Sequence, residues 1–164
     1  MGDGVSVTPT DTSDLSELRE RLKGGHREGH YYVALLGMRT YEPLEVYRSV
    51  KKGFRYSVFE RFRKNTLLSH TDLANLTQIS ERTLARRKAQ GRMEPEESDR
   101  LLRASRVFGR ALELFEGDRD AAMAWLTSPQ RALGGLAPFE LSKTDVGAQE
   151  VEHLVGRLEH GIPT

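Results

Sequence analysis

The 164-residue sequence contains no cysteine. That absence excludes a disulfide scaffold, a thiolate zinc site and a cysteine nucleophile, and it fits a reducing compartment. Long apolar runs are missing too. No stretch approaches the 18 residues a membrane helix needs, and Met1 onward lacks the basic-then-apolar order of a signal peptide. The reading is a cytoplasmic protein with no membrane partner. Alternating apolar and polar runs are scarce, and neither an internal repeat nor a heptad seam is present, so the chain reads as all-α. Acid–base constellations are equally absent. Glu94, Glu96, Glu97 and Asp99 cluster at a helix start, where they complement the macrodipole. Gly134-Gly135 lacks the strand and the Lys-Ser or Lys-Thr of a phosphate loop, and reads as a turn. His26 and His30 stand four apart beside two glycines with no third ligand in reach, which gives no metal site. No enzyme, metal or cofactor is expected.

What is present is a strong division of charge beneath a net charge of only +1. Residues 48–92 hold 12 Lys or Arg against 3 Asp or Glu, whereas residues 1–47 hold 5 against 8 and residues 93–164 hold 8 against 13. Within the basic middle, Arg82 to Arg92 carries five cations and no acid. Like charges on neighbouring helix turns repel, so an unmixed face suits an anionic partner such as the DNA backbone.

Local patterning gives that segment a shape. Ser69 to Asp72, "SHTD", is a variant capping box, and Ser80 is a second N-cap. Ile79 before the cap and Leu84 at the fourth helical position form a hydrophobic staple. Two short helices separated by about three residues, with Leu73, Ala74, Ile79 and Leu84 as apolar anchors, have helix–turn–helix spacing. Arg82, Thr83 and Arg86 then share an outward face, with Arg87 and Lys88 one turn on. N-terminal side chains of such a helix reach base edges in the major groove, while flanking hydroxyls and cations, Ser80 among them, hold phosphates.

Elsewhere the pattern predicts a short helix over Asp14–Lys23 in a poorly ordered N-terminal extension of residues 1–35. "HYYVALLGM" remains open between strand and buried helix. Leu44, Tyr47 and Val50 mark one helix face, and Val58, Phe59 and Phe62 another. Pro95 starts a long helix with Leu101, Ala104, Phe108, Ala111 and Phe115 as its stripe. That helix is the first choice for subunit packing. Trp125 and the Phe108/Phe115 stripe read as core. Asp118 and Thr144 cap two further helices, the last striped by Val151, Leu154, Val155 and Leu158.

The run "LANLTQISERTLARRKAQGRMEPEESDRLL", followed by "AWLTSPQRALGGLAPFELSKTDVGAQEVEHLVGRLEHG", resembles the Xre/MbcA/ParS group of antitoxins, partners of RES-domain toxins, from about Pro43 to Gly161. Trp125-Leu126, Pro129, Leu133-Gly134-Gly135, Pro138, Thr144 with Gly147, and Arg157 with Glu159-His160-Gly161 carry the more specific part. The resemblance implies an Xre-like helix–turn–helix bundle, residues 36–92, followed by a small α-helical toxin-binding domain, residues 93–164. It implies a type II antitoxin that represses its own operon through operator DNA as a homodimer. It also implies that the antitoxin sequesters a RES toxin that consumes NAD. "RLEHGIPT" is then the plug of the toxin's active-site cleft, with Arg157, Glu159, His160 and Gly161 as toxin-binding residues. A typical Xre turn has Gly where this chain has Gln78, which predicts a wider or strained turn. The competing reading is a stand-alone helix–turn–helix regulator whose C-terminal domain dimerises or senses a ligand.

Overall fold

The computed structural model describes residues 31–40 and 42–164. Its elements are α1 (Tyr31–Leu36), α2 (Pro43–Lys52), α3 (Tyr56–Thr66), α4 (His70–Thr77), α5 (Glu81–Gln90) and α6 (Pro95–Leu114). There follow α7 (Arg119–Thr127), a 3₁₀ turn (Arg131–Leu133), α8 (Pro138–Leu141) and α9 (Asp145–Glu159). Among the described residues no strand forms. One isolated antiparallel bridge joins Arg55 to Arg92. The Asp14–Lys23 helix and most of the N-terminal extension lie outside the described residues. The part of "HYYVALLGM" from Tyr31 to Leu36 is helix: α1 buries Tyr31, Val33, Leu35 and Leu36, and the amide of Asn65 donates to the Leu35 carbonyl at 3.0 Å. The expected limit at residue 35 falls inside α1.

The caps explain where the helices begin. Ser69 accepts the Asp72 N–H, Ser80 the Thr83 N–H, Asp118 the Ala121 N–H and Thr144 the Gly147 N–H. Each satisfies one of the donors that a helix start leaves unpaired. On α2 the buried side chains are Val46 and Val50, while Leu44 and Tyr47 are exposed. This corrects the face read from Leu44, Tyr47 and Val50: the stripe lies one residue round. Leu158, likewise expected inside, is 37% exposed.

Helix α6 is the centre of the molecule. It packs against α1, α2, α4, α7 and α9, and Leu101, Val107, Phe108 and Ala111 are fully buried along it. Only Glu96 and Asp99 of its residues are exposed. Its expected role in subunit packing is therefore corrected, because its apolar surface is already spent inside the fold. One continuous core runs from Leu35 through Phe59, Leu73, Leu84 and Phe108 to Leu126 and Leu154. The expected boundary at residues 92 and 93 precedes α6, and the helix serves both sides of it.

Candidate functional site

Two regions carry the functional candidates. In the first, Ile79 and Leu84 are both buried and seat α5 against Leu73 and Ala74 of α4. Gln78, in the turn, adopts φ 54° and ψ 39°, the left-handed conformation that glycine takes freely. The turn therefore closes through a left-handed residue that is not glycine, at the cost of strain there. Its carbonyl accepts a hydrogen bond from the Arg100 guanidinium of α6 at 3.1 Å.

With Leu84 inside, Arg82, Ala85, Arg86 and Ala89 occupy the opposite side of α5, all exposed. Lys88 is exposed on one flank. Ala85 and Ala89 are candidate positions on this face that sequence reasoning missed. Small residues beside two arginines let a helix approach a groove floor closely, and alanine can contact a thymine methyl. Their spacing from Arg82 and Arg86 was the available signal. Ser80 and Thr83 cap the helix together, with the Ser80 hydroxyl donating to Thr83 Oγ1 at 2.9 Å. Glu81 accepts from the Thr71 hydroxyl at 2.8 Å, so the single acid at this end is already engaged.

Arg87 does not join this face, and its grouping with the outward cations is corrected. It is 9% exposed, and its Nε and Nη2 donate to Glu97 at 2.8 and 2.9 Å. Its Nη1 donates to Gln90 Oε1 at 3.0 Å. Burial pushes the Glu97 carboxyl up, but the Arg87 hydrogen bonds and the Glu94 N–H outweigh it and hold the group below its ordinary value. Glu97 thus closes the start of α6 and clamps α5 to it.

The second region is the end of α9. Arginines of α6 face acids of α9 in the same order along both helices. Arg103 lies 3.9 Å from Asp145, Arg106 2.9 Å from Glu152, and Arg110 2.9 Å from Glu159. Glu159, with a side chain 7% exposed, is therefore turned inward, which corrects its expected role as a toxin contact. Arg110 also pairs with Glu113. Burial lowers the Arg110 pKa, but these two carboxylates outweigh it and the net shift is upward.

Beyond Glu159 the chain closes in a Schellman motif: the Ile162 N–H donates to the Arg157 carbonyl at 2.9 Å and the Gly161 N–H to the Leu158 carbonyl at 3.2 Å. Gly161 has φ 64°, which explains glycine at that place. Arg157 is half-buried, His160 is exposed with Nδ1 2.7 Å from the Gly156 carbonyl oxygen, and Ile162 is 51% exposed. The Thr144 and Gly147 pair also gains a physical reason. Thr144 caps the Gly147 N–H at 3.1 Å, and a Cβ on Gly147 would stand 1.8 Å from the Leu141 carbonyl oxygen.

Among the described residues no group of three His, Asp or Glu could hold a metal ion, and no helix is long and apolar enough to cross a membrane. His26 and His30 lie outside the described residues.

Residues 45–106 match the family described as the antitoxin Xre-like helix-turn-helix domain. Residues 110–161 match the antitoxin Xre/MbcA/ParS C-terminal toxin-binding domain. The two matches meet within α6. An Antitoxin Xre of Yersinia enterocolitica serotype O:8 is 39% identical over 115 residues, covering 70% of this chain and 78% of that one. An Antitoxin Xre of Photorhabdus laumondii is 32% identical over 114 residues, covering 69% and 77%. A third, from Pseudomonas putida, is 32% identical over 66 residues, covering 40% of this chain and 41% of that one. With its caps, its turn and its glycines at the places these matches span, the chain belongs to the Xre antitoxin family, which are antitoxins and not enzymes.

Proposed function

We propose that the protein is a cytoplasmic type II antitoxin that acts as a homodimer, represses its own operon and neutralises a RES-domain toxin that consumes NAD. In this reading α5 enters the major groove of operator DNA with Arg82 and Arg86 at base edges. The end of α9, at Arg157, His160 and Gly161, carries Ile162–Thr164 into the toxin's active-site cleft. The observation that carries the DNA half is the outward face of α5, where the cations Arg82 and Arg86 have no carboxylate partner among the described residues and share the face with two exposed alanines. One helix–turn–helix unit reads few base pairs, so two-fold operator binding follows.

Alanine at Arg82 or Arg86 will cost about 1–3 kcal/mol of operator affinity and relax sequence preference. Fluorescence anisotropy on a duplex from upstream of the gene, against a scrambled duplex, measures it; neutralisation of the toxin will persist. Equal losses on both duplexes would remove base readout from these residues.

The toxin half is tested by ending the chain after Gly161, which keeps the Glu159–Arg110 pair and the Gly161 N–H bond to the Leu158 carbonyl. This truncation will abolish inhibition of NAD consumption by the co-purified RES toxin and leave DNA affinity unchanged. Full inhibition by the shortened chain would discard the plug.

A further inference from the structure

Among the described residues, many of the arginines have acidic partners. Arg48 is paired with Glu45, Arg63 with Glu60, Arg87 with Glu97, and Arg103, Arg106 and Arg110 with the acids of α6 and α9. Lys52, Arg55, Lys88 and Arg92 have no carboxylate at ion-pair distance among the described residues. They are also close together. The backbone bridge sets Arg55 directly opposite Arg92, Lys52 precedes it at the end of α2, and Lys88 lies in the last turn of α5.

Local physics accounts for Lys52 and Lys88, since a cation in the last turn of a helix complements the dipole. It does not account for Arg55. This residue occupies the N-cap of α3, a position that favours Ser, Thr, Asp or Asn and disfavours positive charge, and it makes no capping hydrogen bond. It also faces a second arginine across an antiparallel pair, where like charges destabilise. Local rules broken without an internal compensation mark a functional position.

The backbone that carries the cluster is held by hydrogen bonds. The Tyr56 N–H donates to the Gly91 carbonyl at 3.0 Å, the Met93 N–H to the Phe54 carbonyl at 2.8 Å, and the Phe54 N–H to Ser98 Oγ at 2.8 Å. The Arg92 guanidinium is fixed over the strap by its bond to the Gly53 carbonyl at 2.6 Å. An anion binding here meets one guanidinium already in position, and the backbone beneath the others does not have to order.

We propose that Arg55 and Arg92, flanked by Lys52 and Lys88, form a phosphate clamp that grips the backbone of duplex DNA just past the C-terminal end of α5. The clamp rests on the reading of α5 as the groove-entering helix. It supplies grip without sequence preference, whereas Arg82 and Arg86 supply the reading.

The experiment uses the full-length Arg55→Ala and Arg92→Ala variants with the upstream and scrambled duplexes, across 50 to 250 mM KCl. Each variant will weaken binding to both duplexes by the same factor, about 5–10-fold near physiological salt. Each will also make the slope of log affinity against log salt shallower by about 0.9. Arg55→Ala will melt at or above the parent temperature, because it removes a repulsion. An unchanged slope and affinity in Arg55→Ala, with Arg82→Ala still impaired, overturns the clamp and leaves the groove reading standing. If the parent chain shows no salt-sensitive association with either duplex, both fall together.

Discussion

An Arg87→Ala chain will lose about 3 kcal/mol of folding stability, whereas Arg86→Ala, one position earlier, will lose almost none. The difference follows from where each guanidinium goes. Arg86 stands in solvent, while removing Arg87 strands Glu97, whose side chain is 11% exposed, without its main partner. For a chain of this length the loss corresponds to a melting temperature lower by about 6–12 °C. Operator affinity will fall as well, but by unfolding, so it returns at low temperature in Arg87→Ala and not in Arg86→Ala. The pH dependence has a definite sign. In the parent, the Glu97 carboxyl is held below its ordinary 4.5, so its contribution is present above that value and is lost as pH falls through the folded one. In the variant the Arg87 hydrogen bonds are gone and only the Glu94 N–H remains on the carboxylate, so the deficit narrows on acidification because a protonated Glu97 needs no cation. Urea titrations at pH 7 and pH 4 measure both effects. Equal stability of the two variants at pH 7 would refute the clamp between α5 and α6.

Gly147→Ala will cost about 3 kcal/mol, since the added methyl meets the Leu141 carbonyl and its carbon at 1.8 and 2.7 Å, and backbone cannot step aside as a side chain can. The start of α9 must lift from α8, and the Thr144 cap with it. Because α9 delivers the chain to the Schellman turn, protection against the toxin will weaken along with stability. Gly156→Ala is the control in the same helix: no atom lies within 4 Å of its Cβ position, so alanine there will be neutral or stabilising. Thermal melts and pull-down of the toxin separate the two substitutions.

The features legible in the sequence are those closed within a few residues. Ser69, Ser80, Asp118 and Thr144 reveal themselves because a cap and its target amide are three positions apart. The Ile79–Leu84 staple is equally local. Arg87 was misread because its partner lies ten residues on, across a helix junction. A signal did exist, since Arg87 follows the buried Leu84 by three and so shares its inward side. Glu159 was misread for the same reason at longer range, its partner being 49 residues away. Here too a pattern was available: acids at 145, 152 and 159 repeat every seven residues, opposite arginines at 103, 106 and 110. Two complementary stripes predict a helix pair, and a cation or acid inside such a stripe is spoken for.

The central position of α6 sets the unit in which this antitoxin lives and dies. A single helix roofs the helix–turn–helix bundle at one end and supports the helix carrying the C-terminal turn at the other, so neither half retains a complete interior once the spine is cut. A cut through it would undo the helix–turn–helix domain and the toxin-binding domain in one stroke.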